Sequence, residues 1–274
     1  MPTPFYHLSI ADQVVKQPAL NPAIKCLING QLGAFYLGNT APDVQVISGQ
    51  TRSATHFFTV PISPNAGVPW HGMLSEYPNL RASENLDLAQ AIFIAGYLCH
   101  LQADWIWVNE IFEPVFGPQQ NWATFSNRLF WHNILRAYLD VEVFANLQVD
   151  QILDLGPVRS QKWLPFIQDH DLENWWIYLC DQLQPGNSVK TVEVFAARQG
   201  IDVHEFRTML QSEESMQENI FNHISRQQLD DYCTRLVAKN VSLIENYLDP
   251  WVASASAAAI QPSSFTQQHD RSGI

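Results

Sequence analysis

The feature that most constrains the fold is an apolar stretch, Gly96–Trp105, that contains one histidine and one carboxylate. His100 and Asp104 are four residues apart, so on a helix their side chains share one face, one turn apart. Burying two such groups is costly unless something satisfies them. A metal ion does so, because it binds a neutral imidazole and an ionised carboxylate directly. A core histidine hydrogen-bonded to a carboxylate is the alternative.

Hydrophobic periodicity indicates an all-α protein, a multi-helix bundle. Patterns with a 3.6-residue period are frequent and β-type alternation is rare. The helix that carries His100 should be apolar almost all round, begin after an N-cap at Ser83 and lie at the bundle centre. Predicted helices span about 9–16, 22–36, 84–112 and 122–147, with four shorter ones in 157–250. The region 38–78 is predicted to be a long irregular segment over the helices.

The chain is predicted to form one helical domain over residues 1–250. Its two halves would be a metal-site half, 1–150, and a helical half, 157–250, with no obvious chemical cluster in the second. Residues 253–274 contain almost no large apolar side chains, which favours a disordered tail.

Composition narrows the classes of partner. The formal net charge is -12, with charged residues at 15%, so the chain lacks the clustered Lys and Arg that a stable nucleic-acid complex requires. The apolar run Ala91–Cys99 is too short to span a bilayer. No secretory signal is visible, so we expect a cytoplasmic protein without a transmembrane segment.

Further candidate ligands precede and follow the central pair. Each has an ordinary structural explanation when taken alone: a turn for Asp43, a core or surface position for the histidines, and an exposed ion pair of Arg136 with Asp140. In the functional interpretation, His132 is a metal ligand or an acid–base group, and Arg136 anchors a phosphate oxygen. The candidate ligands are His7, Asp43, His56, His100, Asp104 and His132.

Four segments, in this order, resemble the zinc-dependent phospholipase C family, which includes relatives of the fungal single-strand-specific nucleases. The resemblance covers roughly residues 1–145. It rests on Thr3–Ala11, Gly38–Asp43, Thr55–Phe57 and Gly96–Asp104.

The resemblance implies an all-α phosphoesterase with long loops over a metal cleft and up to three zinc ions. Carried over by position, one zinc would be bound by four residues: Asp43, His56, His100 and Asp104. Asp104 would bridge to a neighbouring ion reached by His7. A zinc-activated water would attack phosphorus, with Asp43 orienting it or accepting its proton. The substrate would be a phosphate ester, such as a phospholipid.

The sequence departs from the family pattern in its second ligand cluster. No histidine occurs in residues 105–116, and Arg136 stands where a carboxylate would follow His132. Residues Glu110, Asp140 or Glu142 would have to substitute. These departures favour one or two zinc ions over three. They also keep open a non-catalytic helical binding protein with a reduced or structural zinc site.

Overall fold

Every regular element in the part of the chain that the structure describes is helical, which confirms the all-α prediction. The structure is a computed structural model. It describes residues 1–260 except positions 64, 123, 148–151, 153–155 and 157.

The helices succeed one another along the chain without an intervening strand in the residues that the structure describes. The α-helices are α1 (Pro4–Lys16), α2 (Pro22–Gly30), α3 (Leu32–Thr40), α4 (Gln45–Ser48), α5 (Arg52–His56), α6 (Pro69–Glu76), α7 (Leu88–Trp107), α8 (Glu113–Phe116), α9 (Phe125–Phe144), α10 (Asp169–Gln182), α11 (Thr191–Gln199), α12 (Val203–Gln211), α13 (Glu213–Met216) and α14 (Arg226–Ile260). Short π-helical segments, Val108–Phe112 and Gln217–Phe221, continue α7 and α13.

Helix α7 is the centre of the molecule, as predicted, and it packs against α1, α3, α6 and α14. The helix begins later than predicted because Asp87, not Ser83, caps it by accepting a hydrogen bond from the Gln90 amide. Ser83 lies in a separate 3-10 turn, where its hydroxyl donates to the carbonyl of Tyr247.

Helix α7 and its continuation, Leu88–Phe116, are long and apolar enough to cross a membrane by length and composition. The core helix of a folded domain passes the same test, and 94% of the most apolar window is buried inside this protein. The prediction of no transmembrane segment therefore stays a prediction.

Helices α2 and α3 were predicted as one helix over 22–36, which is wrong. Gln31 leaves the helical conformation at φ -137° and ψ 35°, so α2 ends before it and α3 begins at Leu32. Helix α3 then packs closely on α7 because Gly38 and Gly96 remove the side chains between them. A Cβ on Gly96 would lie 2.4 Å from the carbonyl oxygen of Phe35.

The region 38–78 contains α4, α5, α6 and 3-10 turns, so the prediction of an irregular segment is largely wrong. Asp43 lies in the 3-10 turn Ala41–Val44, and His56 is the last residue of α5. Both side chains are therefore held by regular backbone close to α7.

The C-terminal half ends in one long helix, α14, of 35 residues, rather than only in shorter ones. Residues 253–260, predicted to be disordered, form the end of this helix. The rest of the predicted tail, 261–274, lies outside the described residues.

Candidate metal centre

Five of the predicted ligands meet at one place in the interior. Helix α7 supplies His100 and Asp104 from one face, as their spacing predicts. Helix α1 brings His7, the 3-10 turn brings Asp43, and α5 brings His56. Their ligand atoms form two groups that share His100, and within each group all the atoms lie within 4.8 Å of one another. The groups are His7, His100 and Asp104, and Asp43, His56 and His100.

Asp104 is the carboxylate that joins the two groups. Its Oδ1 lies 3.4 Å from Nε2 of His7, and its Oδ2 lies 3.4 Å from Nε2 of His56 and 3.8 Å from Nε2 of His100. Asp43 approaches from the other side, with Oδ1 at 3.6 Å from Nε2 of His56. The rings of His7 and His100 stack, with centroids 3.7 Å apart.

The ring nitrogens of His56 and His100 face one another with an Nε2–Nε2 distance of 3.3 Å. Nδ1 of His100 lies 2.8 Å from the carbonyl oxygen of Asn39, and a carbonyl only accepts, so Nδ1 carries the proton. Nδ1 of His56 lies 2.9 Å from the hydroxyl oxygen of Thr55 and 3.2 Å from the carbonyl oxygen of Arg52. Because the Thr55 hydroxyl donates to that same carbonyl, both oxygens accept from Nδ1 in the same tautomer. Two lone pairs therefore point at each other, an arrangement that suits a shared cation.

The protonation states of these groups match those of metal ligands. Burial lowers the pKa of His100 to about 3, and the charge of His7 adds to this effect. Burial raises the pKa of Asp43, but its hydrogen bond to His56 and the charge of His100 outweigh burial and lower the pKa to about 2. Neutral imidazoles and ionised carboxylates are the forms that bind a divalent cation.

Nε2 of His7 and Oδ1 of Asp104, although only 3.4 Å apart, do not form a hydrogen bond of good geometry, and neither atom has another hydrogen-bond partner among the described residues. Leaving such groups unsatisfied costs free energy, so native interiors avoid it. The residues present therefore fit a zinc ion, because they offer histidine nitrogens and carboxylate oxygens and because some of these buried atoms have no hydrogen bond.

Arg52 is a member of the site that the sequence analysis missed. Its guanidinium contacts Oδ2 of Asp104 and stacks at 4.7 Å on the ring centroid of Phe58. Arg52 opens α5, four residues before His56, so the two side chains share a helix face. That spacing was the available signal.

The fourth predicted histidine ligand, His132, lies outside both groups. His132 accepts a hydrogen bond of 3.0 Å from Nε1 of Trp107 and packs against Phe112 and Phe116. Burial lowers its pKa well below the ordinary value for histidine. His132 is therefore a core histidine, the structural alternative to a metal ligand, and its side chain does not join the other predicted ligands.

The carboxylates named as substitutes for the missing ligand are engaged elsewhere. Asp140 is fully buried and accepts hydrogen bonds from the hydroxyls of Thr3 and Thr191. Glu110 pairs with Arg235 at 2.7 Å, and Glu142 is exposed and lies 3.8 Å from Arg226. None of the three joins the centre.

Arg136, on the same face of α9, does lie beside the centre. It lines a cavity of about 130 Å³ together with Asp43, Arg52 and Asp104. Burial lowers its pKa to about 10, and the negative charges of Asp43 and Asp104 oppose this. The guanidinium therefore stays charged at neutral pH.

The other wall of this cavity comes from the half of the chain in which the sequence showed no chemical cluster. Helices α10 and α11 contribute it, with the side chains of Trp175, Tyr178, Gln182, Thr191, Val194, Phe195 and Arg198. Those residues are scattered in sequence and become neighbours only when α10 and α11 fold against the centre.

Fold and site together define an all-helical protein with a buried histidine and aspartate centre that suits a divalent cation. The family model of zinc-dependent phospholipase C matches residues 6–183, more than half of the chain and beyond the 145 residues of the resemblance. The chain belongs to this family. No curated protein and no solved structure matches it.

Proposed function

We propose that this protein hydrolyses a phosphate ester, such as a phospholipid, by zinc-dependent attack of water on phosphorus. The observation that carries the proposal is that the Nε2 atoms of His56 and His100 face each other at 3.3 Å beside the carboxylates of Asp43 and Asp104. Family membership supports zinc as the metal and a phosphate ester as the substrate.

His56, His100, Asp43 and Asp104 would hold one zinc ion, and Asp104 with His7 would reach a second. Two groups that share one histidine support one or two ions. Zinc bound there would acidify a coordinated water and offset the charge on the phosphoryl oxygens.

The protein's own groups then orient the reactants. Asp43 remains ionised through the neutral range, so its carboxylate accepts a hydrogen bond from the attacking water and aims it. Arg136 lines the same cavity and keeps its charge, so its N–H groups donate to the phosphoryl oxygens. This role makes Arg136 a group that stabilises charge as it develops.

The test combines zinc content with hydrolysis of bis(4-nitrophenyl) phosphate, a generic phosphodiester. The variant is His56→Gln, and the matched control is His170→Gln, whose side chain is 72% exposed. We expect the purified protein to hold at least one zinc, and His56→Gln to lose most zinc and about a hundredfold or more in kcat/KM, as loss of a ligand to an essential metal implies. The control should match the unmodified protein.

Two results would contradict the hydrolase. Bound zinc without turnover of any phosphodiester would favour the binding protein with a structural zinc, whose four protein ligands leave no position for water. Equal zinc content in His56→Gln and His170→Gln would contradict the proposal that His56 and its neighbours bind zinc.

A further inference from the structure

Three buried N–H donors around the cavity beside the centre have no acceptor. They are Nη1 of Arg52, Nε of Arg136 and Nε1 of Trp175, and none has a hydrogen-bond partner among the described residues. All three side chains line the same cavity. Trp175 is fully buried, so water outside the cavity does not satisfy its indole N–H. Three donors without an acceptor around one space indicate a ligand rich in oxygen atoms.

Charge around the cavity agrees with that inference. The chain is strongly acidic, with a net charge of -12 and only 15 Lys and Arg residues, yet Arg52, Arg136 and Arg198 all line this one space. The carboxylates that line it, Asp43 and Asp104, are engaged by the histidines of the centre. Arg136 and Arg198 form no ion pair with a described carboxylate.

Two of the four aromatic residues of the cavity, Phe195 and Tyr178, have the protein's own cations over their rings, while the other two contact aromatic neighbours. Trp175 stacks on Tyr178 with ring centroids 5.5 Å apart, and Phe5 packs edge-on against Phe144 at 5.0 Å. The ring of Phe195 has the guanidinium of Arg136 at 4.6 Å and that of Arg198 at 5.8 Å from its centroid. The ring of Tyr178 has Nζ of Lys190 at 5.2 Å. A quaternary ammonium group is recognised by free aromatic faces, so this cavity does not suit one.

We propose that the cavity selects phosphate esters whose headgroup carries an anionic group of its own, a second phosphate or a carboxylate, over esters with an ammonium headgroup. Arg136 would contact the phosphate that reacts, as proposed above, and Arg198 with Trp175 would bind the second oxyanion. This inference rests on the proposed hydrolase function and names its substrate class.

A hydrolysis experiment compares three lipids with identical acyl chains in a neutral detergent: phosphatidylcholine, phosphatidylinositol and phosphatidylinositol 4-phosphate. Their headgroups are cationic, uncharged and anionic beyond the phosphate that reacts. We expect kcat/KM to be highest for the anionic headgroup and lowest for choline. Arg198→Gln should lower the value for the anionic headgroup about threefold to fivefold, the range for one exposed charge pair, and leave the uncharged one within about twofold. Arg235→Gln, an exposed arginine outside the cavity, is the control and should change neither.

A binding experiment supplies a readout that is independent of turnover. Calorimetric titration of the zinc-loaded protein with inositol 1,4-bisphosphate and inositol 1-phosphate should show tighter binding of the bisphosphate. Trp175→Phe keeps a buried ring and removes only the N–H donor, so it should weaken the bisphosphate by about threefold to tenfold. If the soluble bisphosphate is hydrolysed and the micellar lipid is not, the substrate with the anionic group is a soluble ester rather than a lipid.

The two proposals fail differently. Equal kcat/KM for all three lipids, or a higher value for phosphatidylcholine, would overturn the proposed preference for an anionic headgroup. The proposed hydrolase function would not be affected. Equal affinities of the unmodified protein for the two inositol phosphates would also overturn this preference. So would bisphosphate binding that is unchanged in both Arg198→Gln and Trp175→Phe. Tighter binding of the bisphosphate than of inositol 1-phosphate, without hydrolysis of any ester, would overturn the proposed hydrolase function. The proposed binding site for a second oxyanion would still stand.

Discussion

Among single residues, Asp140 is a buried carboxylate with a structural role beside the candidate metal centre. Its two oxygens accept from the hydroxyl of Thr3, the amide of Tyr6 and the hydroxyl of Thr191. These bonds join the start of α1, which carries His7, to α9 and α11. Asp140 is therefore a positioning residue for the centre and the cavity.

Replacement of Asp140 by alanine should lower the free energy of unfolding by about 3 kcal/mol, because three buried donors lose their acceptor. Urea denaturation followed by circular dichroism measures the change. Asp181→Ala is the matched control: its carboxylate is 55% exposed and pairs only with Lys190, so a change below about 1 kcal/mol is expected. Equal stabilities of the two variants would show that Asp140 carries no such role.

Residue spacing predicted the part of the site that lies within one element. His100 and Asp104 share a face of α7 because they are four residues apart, and this relation needs no tertiary information. Trp175 and Arg198 belong to the cavity only because α10 and α11 pack across it, and spacing carries no such signal. For His132 the same spacing argument failed, because its ring turns to Trp107 rather than to the centre.

At the scale of elements, the crossing of α3 and α7 places His100. A Cβ on Gly38 would lie 2.1 Å from the carbonyl oxygen of Phe93, and one on Gly96 would lie 2.4 Å from that of Phe35. Such close approach brings the carbonyl of Asn39 to Nδ1 of His100 and fixes its tautomer. Two glycines, one next to Asn39 and one a helical turn before His100, thus set the orientation of the His100 ring.

Gly96→Ala should force α3 away from α7, lower the free energy of unfolding by about 1 to 3 kcal/mol and weaken zinc binding. Thermal unfolding and zinc titration measure the two effects. The control is Gly30→Ala, at the end of α2, where an added Cβ meets nothing within 4 Å. A helical Gly→Ala change without a clash is neutral or stabilising. An equal response of both variants would mean that the crossing tolerates a side chain.

The sequence predicts which helices exist better than it predicts where they begin and end. The apolar run predicted α7 as the central helix, since only a buried helix is apolar all round. Its start was misplaced because Ser83 and Asp87 are both good capping residues and only the tertiary bond of Ser83 to Tyr247 distinguishes them. The break at Gln31 follows Gly30, a glycine signal that the predicted single helix over 22–36 passed over.

For the whole molecule, buried neutral histidines couple stability to pH. Burial holds the pKa of His132 well below 6.5, its usual value. The unfolded chain therefore binds a proton as pH falls through about 6.5 while the folded chain does not, so stability is complete above that pH and is lost below it. Each such histidine contributes about 1.4 kcal/mol per pH unit in this range.

Comparing unfolding free energies at pH 7.5 and 5.5 tests this coupling. His132→Gln keeps an acceptor for Trp107 and does not titrate, so the loss on acidification should be about 1 kcal/mol smaller than in the unmodified protein. His204→Gln, at an exposed position, should behave like the unmodified protein. Acid release of zinc is common to all three proteins. An unchanged pH dependence in His132→Gln would contradict a neutral buried histidine.

The most direct test of the metal centre is anomalous diffraction at the zinc edge from crystals of the zinc-loaded protein. We expect a peak between Asp43, His56 and His100, about 2.0 to 2.2 Å from ring nitrogens and carboxylate oxygens. A second peak between His7 and Asp104 would mark a second ion. An empty map at this cluster, or zinc bound only at other residues, would contradict the centre and with it the proposed hydrolase.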